Sequence, residues 1–307
     1  MRWAQQRLGQ RRIAWLFLAP NLIIFGAFTF LPIILNFWYA TTGGINVLPS
    51  DRPFVGSENF DHLLACDDYF DPDTCEEDIF WRTVFNTASF VALQVGFMVL
   101  FALVTALILN REIRARGFFR SVFFYPVLLS PVVVALIWKW VLQREGVLNA
   151  WIMDLGGEQT LWLLDAGWAF FWVVFVSVWA HMGFYTLILL AGLQAIPRDV
   201  YEAAEMDAAD SWRTFYRITL PLLMPNMVVV LVLALIKGVQ TFDEIFVLTG
   251  GGPGSATMLI VQFIYETGFA AQPQLFGLAA AASIILAAVL FMLTLIQLWV
   301  NRRNVNG

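Results

Sequence analysis

The chain has 307 residues, of which 60% are hydrophobic and only 13% are charged, and its mean hydropathy is +0.72. A soluble protein carries about 25% charged residues, and a folded surface is already more than half apolar. A water-soluble fold of this size could not hide so much apolar surface. The composition also excludes disorder, collagen and coiled coil, and the net charge of −5 argues against any nucleic-acid partner. We therefore interpret the chain as an integral membrane protein.

Six apolar stretches with few or no charged residues are long enough to cross a bilayer. A spanning helix needs about 20 mostly apolar residues, whereas barrel strands would alternate in polarity over about ten. The stretches are continuous, so we predict an all-α membrane protein with one transmembrane domain, residues 1–307. The predicted spans are residues 13–41, 83–109, 118–142, 168–193, 222–247 and 275–300.

A seventh apolar stretch, residues 245–265, is interrupted by four glycines and Pro253. A lipid-exposed helix would not tolerate this interruption, and only about nine apolar residues follow it, too few to span. We interpret it as the outer end of the fifth span followed by a re-entrant or surface loop. The glycines do not form a phosphate-binding loop, because no lysine follows Gly254 and no strand precedes it.

The basic residues near the span ends cluster on one side of a six-span protein. Thirteen of the 18 basic residues contribute, namely Arg2, Arg7, Arg11, Arg12, Arg111, Arg114, Arg116, Arg120, Arg198, Arg213, Arg217, Arg302 and Arg303. Because loops rich in Lys and Arg stay in the cytoplasm, both termini are predicted to be cytoplasmic. The first span is expected to be retained, since its apolar stretch is longer than that of a signal peptide.

The predicted outer loop, residues 42–81, holds ten of the 23 acidic residues and a single basic residue, Arg52. It also holds both cysteines, Cys66 and Cys75. Outside the cytoplasm such a pair favours a disulfide. The alternative is two reduced thiols in a flexible acidic loop. Nothing in the loop indicates a metal site.

The predicted cytoplasmic loop at residues 194–221 contains a short helix. Pro197 ends the fourth span, and Asp199 is a suitable N-cap for a helix that begins near Tyr201. Small residues on one face would let another protein approach closely, and acidic residues suit the N-terminal end of a helix. The alternative is an amphipathic helix that lies on the membrane surface. The acidic and small residues are Glu202, Ala203, Ala204, Glu205 and Asp207.

This loop carries the run Glu202-Ala203-Ala204, then Asp207, and then Ile218-x-Leu220-Pro221. The pattern resembles the EAA loop of permease subunits in binding-protein-dependent ABC importers. The flanking segments resemble the carbohydrate branch of that family, the maltose and glycerol-phosphate type. These segments are Asn86-Thr87, residues 120–126, residues 130–140, residues 192–197 and residues 242–253. The resemblance covers nearly the whole chain.

The resemblance implies a transport subunit that is not an enzyme and sits in the bacterial inner membrane. It implies a second permease of similar fold, two ATP-binding subunits that hold ATP and magnesium, and an extracytoplasmic solute-binding protein. The implied ATPase-coupling residues are Glu202, Ala203, Ala204, Asp207, Ala208, Ile218, Leu220 and Pro221. The family usually has glycine where Ala208 stands. Because alanine is small and compatible with a helix, we expect an altered docking angle rather than lost coupling.

Polar residues at membrane depth are costly and usually face a cavity or a partner. On a continuous fifth span, one polar stripe would follow from Lys237 through Gln240 and Thr241 to Glu244. The predicted substrate path consists of Ser177, Trp179, His181, Tyr185, Lys237, Gln240, Thr241, Asp243 and Glu244. The alternatives are a structural Lys237–Glu244 pair and a His181 that is hydrogen-bonded between packed helices.

Sugar import is the leading function, and an importer of glycerol 3-phosphate or another anionic polyol is the alternative. Lys237 and His181 slightly favour an anionic solute. A secondary transporter commonly has more spans, with paired repeats and broken helices. A membrane-embedded enzyme would need catalytic or metal-ligating clusters, but the only two histidines, His62 and His181, lie in none. No catalytic residue is therefore predicted.

Overall fold

The computed structural model describes Trp15 and residues 17–111 and 114–305, with side chains up to residue 297. These residues are mostly helical and contain no strand, apart from one isolated bridge between Thr42 and Phe54. The main helices are α1 (Phe17–Ala40), α2 (Glu58–Leu64), α3 (Asp78–Asn110), α4 (Arg116–Phe124), α5 (Pro131–Leu142), α6 (Val147–Asp154), α7 (Ala166–Ala195), α8 (Arg198–Met206), α9 (Ser211–Val239), α10 (Asp243–Leu248), α11 (Ile260–Tyr265) and α12 (Phe276–Val305).

Five of these helices are long and apolar enough to cross a membrane, namely α1, α3, α7, α9 and α12 as far as Gln297. The sixth span is reached only if the bent pair Arg116–Leu128 and Pro131–Asp154 counts as one crossing. The interrupted stretch at residues 245–265 is not among them. Among the arginines used to predict the orientation, Arg2, Arg7, Arg11 and Arg12, together with the side chains of Arg302 and Arg303, lie outside the described part of the chain.

The third span is not the continuous helix predicted for residues 118–142. Its two halves meet at a bend of 100°. Leu129 and Ser130 adopt extended backbone conformations, and Pro131 opens the second half as its first residue. A proline restricts the preceding residue to extended conformations and has no N–H to donate to a preceding turn, so the helix restarts there.

The fifth span is also broken, where a continuous helix over residues 222–247 was predicted. Helix α9 ends at Val239, and α10 begins at Asp243. The hydroxyl of Thr241 donates to the carbonyl of Lys237 at 2.9 Å, so a side chain occupies an acceptor at the helix end. Such local side-chain bonds compete with helix continuation. The assumption of 100° per residue across this segment was therefore wrong.

The described residues divide into two compact units. The first unit takes its described residues from 1–66 and 264–288, and the second from 67–263 and 289–307. In the first unit Arg52 is buried, and its guanidinium donates to Thr42 Oγ1 at 2.8 Å and to Asn46 O at 2.7 Å. Burial lowers the pKa of Arg52 from its ordinary value. Arg52 therefore fixes the beginning of the outer loop.

In the second unit the most extensive contact between two helices is that of α3 with α7. One face of α3 is fully buried through Phe90, Met98, Ala102 and Ala106, because these apolar residues recur at helical spacing. On α7, Gly183 lies so close to the backbone of Phe123 that a Cβ there would collide with its carbonyl oxygen. The contact between α3 and α7 brings the Gln94 amide within hydrogen-bond distance of the Ser177 hydroxyl.

Candidate functional site

The short helix predicted in the loop at residues 194–221 is present as α8, Arg198–Met206, but it begins earlier than expected. Pro197 occupies the N-cap position in an extended conformation, and Asp199 lies in the first helical turn. The predicted start near Tyr201 with Asp199 as N-cap was therefore wrong, since the fixed φ of proline already sets the entry to a helix. Glu202 is exposed and Ala204 is buried, so the helix shows its acidic face to solvent.

Ala208 does not continue the helix, contrary to the expectation from its helix compatibility. Its φ of 51° is left-handed, a region that favours glycine. The N–H of Ala208 donates to Glu205 O at 3.0 Å, and the N–H of Ala209 donates to Ala204 O at 2.9 Å. These two bonds form a Schellman motif, which ends a helix and satisfies its last carbonyls. Position 208 therefore requires a residue that adopts the left-handed backbone conformation.

The remaining predicted coupling residues separate into two groups. Ala203 and Asp207 are exposed on or directly after α8, while Ile218 and Leu220 are half-buried inside α9, about two turns after its start. The hydroxyls of Tyr201 and Thr219 lie 3.3 Å apart and join the two segments, and Pro221 follows Leu220 within α9.

An exposed apolar surface adjoins α8. Met206 is 88% exposed, and Trp212 and Tyr216 stack on each other with ring centroids 5.9 Å apart while both remain exposed. The carboxylate of Asp210 accepts from the N–H of Arg213 at 2.7 Å and fixes the turn between them. Exposed acidic and aromatic side chains on α8 and the first turns of α9 are suited to protein contact.

Four side chains of the second unit form a buried polar cluster: Gln94 on α3, Ser177 and His181 on α7, and Glu244 on α10. The Gln94 amide donates to Ser177 Oγ at 2.8 Å. His181 Nδ1 lies 2.9 Å from Ser177 O, which can only accept, so Nδ1 carries a proton. His181 Nε2 lies 3.8 Å from Glu244 Oε1. The broken fifth span thus brings a carboxylate to the middle of α7.

The carboxylate of Glu244 is the least satisfied group of the cluster. Its side chain is 3% exposed, and neither carboxylate oxygen has a hydrogen-bond partner among the residues that the structure describes. Gln94 Oε1 is also buried without a partner, facing Gly238 so closely that a Cβ there would lie 2.5 Å away. Buried polar groups without partners cost several kcal/mol, and native proteins keep few of them. Both acceptors therefore lack a hydrogen-bond donor among the described residues.

The cluster includes only part of the predicted substrate path. Ser177 and His181 belong to it, and Tyr185 is buried one turn further along α7. Lys237 is half-buried and forms no ion pair with Glu244, so the structural pair considered from the sequence is wrong. The other predicted path residues lie apart from one another: Gln240 and Asp243 are exposed, Thr241 binds the backbone of Lys237, and Trp179 packs on Trp138 at 5.5 Å.

Sequence reasoning did not identify Gln94. It is a glutamine near the middle of a long charge-free span, and a polar side chain at that depth is itself a signal of a functional or packing role. Its position on α3 could not reveal that it faces Ser177, since the two residues are 83 positions apart and meet only through helix packing.

The glycine-rich loop after α10 has a fixed structure. The hydroxyls of Thr249 and Thr257 lie 2.7 Å apart, and the Thr257 hydroxyl also lies 2.9 Å from Gly252 O. The Asn86 amide on α3 donates to Ser255 O at 2.7 Å. These bonds satisfy the loop backbone, which explains why a loop is tolerated between spanning helices.

Neither cysteine is a free thiol in the structure. Cys66 and Cys75 are both disulfide-bonded, and they are the only cysteines of the chain. Within the described residues no group of three His, Cys, Asp or Glu side chains is placed to hold a metal ion.

Comparisons with known proteins cover nearly the whole chain. Residues 98–306 match the family described as "Binding-protein-dependent transport system inner membrane component". The trehalose/maltose transport system permease protein MalF of Thermococcus litoralis is 34% identical over 95% of each chain. The sulfoquinovosyl glycerol transport system permease protein SmoG of Agrobacterium fabrum is 32% identical over 98% of this chain and 93% of its own.

A solved structure has the same fold. One chain of a bacterial ABC transporter involved in the import of the acidic polysaccharide alginate superimposes with a TM-score of 0.81. The match covers 97% of this chain and 98% of the other, at 24% identity.

Proposed function

The chain belongs to the family of binding-protein-dependent transport system inner membrane components, and we propose that it carries a sugar through an ATP-driven importer. As a member, it is a multi-pass permease of the inner membrane and is not an enzyme. The observation that carries the sugar assignment is its identity of 34% and 32%, almost end to end, to permeases named for trehalose or maltose and for sulfoquinovosyl glycerol.

The proposed assembly contains a second permease of similar fold, two ATP-binding subunits and an extracytoplasmic solute-binding protein. ATP and Mg²⁺ would bind to the ATP-binding subunits. Both termini and α8 would then lie in the cytoplasm, where α8 contacts an ATP-binding subunit. The exposed acidic side chains of α8 and the neighbouring apolar surface of Met206, Trp212 and Tyr216 support this contact.

The test of coupling is Glu202→Lys in the assembled transporter. Glu202 is exposed, so its replacement should leave membrane insertion unchanged. Reversing the charge on a docking helix should prevent assembly with the ATP-binding subunit or remove stimulation of ATP hydrolysis. Arg198→Gln, at the exposed start of the same helix, controls for a mere change of surface charge. Wild-type uptake by the Glu202→Lys transporter would refute the coupling assignment.

The buried polar cluster is the proposed solute-contact site of the translocation path. A polar solute needs groups that replace its water at membrane depth, and Glu244 with Gln94 offers buried acceptors without partners. Sugar hydroxyls are donors that suit such acceptors. The other predicted path residues are proposed to line the path without belonging to the cluster. They are Trp179, Tyr185, Lys237, Gln240, Thr241 and Asp243.

The cluster favours a neutral, hydroxyl-rich solute over an anionic one. The His181–Glu244 pair carries zero or negative net charge unless both groups hold a proton. A carboxylate disfavours a second anion at about 6 Å by about 3 kcal/mol at an effective dielectric constant near 20, roughly a hundredfold in affinity. This reverses the slight preference for an anionic solute that Lys237 and His181 suggested in the sequence.

Uptake of a neutral oligosaccharide and of its uronic-acid counterpart by the reconstituted transporter tests this preference. Glu244→Gln keeps the size of the side chain and removes its charge, so the ratio of acidic to neutral uptake should rise at least tenfold. An unchanged ratio would show that Glu244 does not select by charge.

An importer of an anionic polyol is the second candidate. One observation favours it: the ammonium of Lys237 is half-buried on α9 and forms no ion pair with a described residue. In this case Lys237→Gln, and not Glu244→Gln, should change the ratio of acidic to neutral uptake. The two variants therefore distinguish the candidates.

A further inference from the structure

Two arginines and one glutamine meet at the end of the membrane-spanning part that adjoins α8. Arg116 and Arg120 lie one turn apart on α4, and Gln194 lies in the last turn of α7. When the Gln194 amide is oriented so that its oxygen faces the guanidinium groups, Oε1 accepts from Arg120 Nη2 at 2.7 Å and from Arg116 Nη2 at 2.8 Å. One neutral acceptor is therefore shared by two positive charges.

Within the described part of the chain, neither arginine forms a salt bridge with a carboxylate. The Nε atoms of both are buried and have no hydrogen-bond partner among the described residues. Adjacent guanidinium groups repel each other, and buried donors without acceptors are costly. An oxyanion would offset the repulsion between the two positive charges, because guanidinium groups bind phosphate through parallel hydrogen bonds.

The same helix presents an apolar surface next to these charges. Phe118 is 66% exposed, and Phe119 and Val122 are also exposed on α4. A helix that carries basic side chains together with exposed phenylalanines is suited to the boundary between lipid headgroups and acyl chains. A lipid would place its phosphate on the arginines and its chains along the exposed phenylalanines.

We propose that Arg116, Arg120 and Gln194 form a binding site for the headgroup phosphate of an anionic phospholipid. The site lies on the same side of the membrane as α8, since Gln194 precedes α8 by only a few residues. It uses none of the residues of the buried polar cluster. A test of this lipid site therefore gives the same answer whichever solute the transporter carries.

The test measures which lipids remain bound to the assembled transporter after purification from a mixture of phosphatidylglycerol and phosphatidylcholine. Native mass spectrometry should find phosphatidylglycerol retained in preference to phosphatidylcholine. Each arginine near a membrane surface contributes about fivefold to the binding of anionic lipid. Arg116→Gln or Arg120→Gln should therefore lower phosphatidylglycerol retention about fivefold, and the double variant about 25-fold. Arg213→Gln, an exposed arginine on the same side, should leave it unchanged.

Gln194→Glu provides a variant that is expected to fold well. It places a carboxylate between the two guanidinium groups, so the arginines gain an internal partner and should lose the lipid. Retention equal to wild type in this variant or in the double arginine variant would overturn the proposal. Release of the lipid by inorganic phosphate, at an ionic strength where chloride has no effect, would assign the site to a free oxyanion and overturn the lipid assignment. An equal loss of phosphatidylglycerol from the Arg213→Gln transporter would show that retention depends on general surface charge, and it would also overturn the proposal.

Discussion

Replacing Gln94 with leucine separates a solute-binding role from a purely structural role for the buried polar cluster. Gln94 is fully enclosed by α3, α7 and α9, and leucine has a similar volume. The substitution removes the donor to Ser177 Oγ and also the buried acceptor Oε1, which has no partner. Because the amide nitrogen and oxygen are removed together, the leucine side chain leaves no unpaired polar atom at position 94.

The expected change in stability follows from these two contacts. Loss of the hydrogen bond to Ser177 costs about 1 kcal/mol, whereas removal of an unsatisfied buried acceptor gains about 1–3 kcal/mol. Ser177 can then donate to a backbone carbonyl one turn earlier on its helix. The free energy of unfolding should therefore stay within about 1 kcal/mol of wild type or rise by up to about 2 kcal/mol. Uptake should nevertheless fall, since the solute loses an acceptor.

Two measurements on the reconstituted transporter decide the outcome. Denaturant titration of the purified complex gives the stability, and uptake measured beside ATP hydrolysis gives the coupling efficiency. Ser177→Ala is the control, because it leaves the Gln94 amide buried without its acceptor and should destabilise by about 1–3 kcal/mol. A Gln94→Leu protein that is destabilised by more than about 2 kcal/mol, or that transports like wild type, would show that Gln94 is only a packing residue.

Three further predictions concern other sites. Ala208→Gly should stabilise the end of α8 by up to about 1 kcal/mol, since relief of a left-handed alanine outweighs the added chain entropy; slower amide exchange there checks it, and faster exchange would contradict it. Peptide mapping without reductant should find Cys66 linked to Cys75, whereas two alkylated thiols would refute the bridge. Replacing Lys237 and Glu244 together by glutamine should not restore the uptake that the single glutamine variants lose, because the two side chains do not pair. Wild-type uptake by the double variant would contradict the structure.

The membrane class, the family pattern and most of the helical content followed from the sequence alone. These properties are local, because a helix in lipid must be about 20 apolar residues long and must satisfy its own backbone. The predicted ends of the second and fourth spans lie within a few residues of α3 and α7 for this reason. A coupling role could be predicted from Glu202 and Ala203 because such a motif is a contiguous run of residues, and this role stays a prediction.

Only the tertiary structure decided which side chains meet in the cluster. Helical periodicity assigns a residue to a face but does not say which helix lies opposite, so it could not pair Gln94 with Ser177. It also extended the fifth span through Gln240 and paired Glu244 with Lys237, because the local capture of the Lys237 carbonyl by Thr241 was not considered. The break after Val239 turns Glu244 toward His181 instead. That contact depends on the packing of α10 against α7, which no local pattern contains.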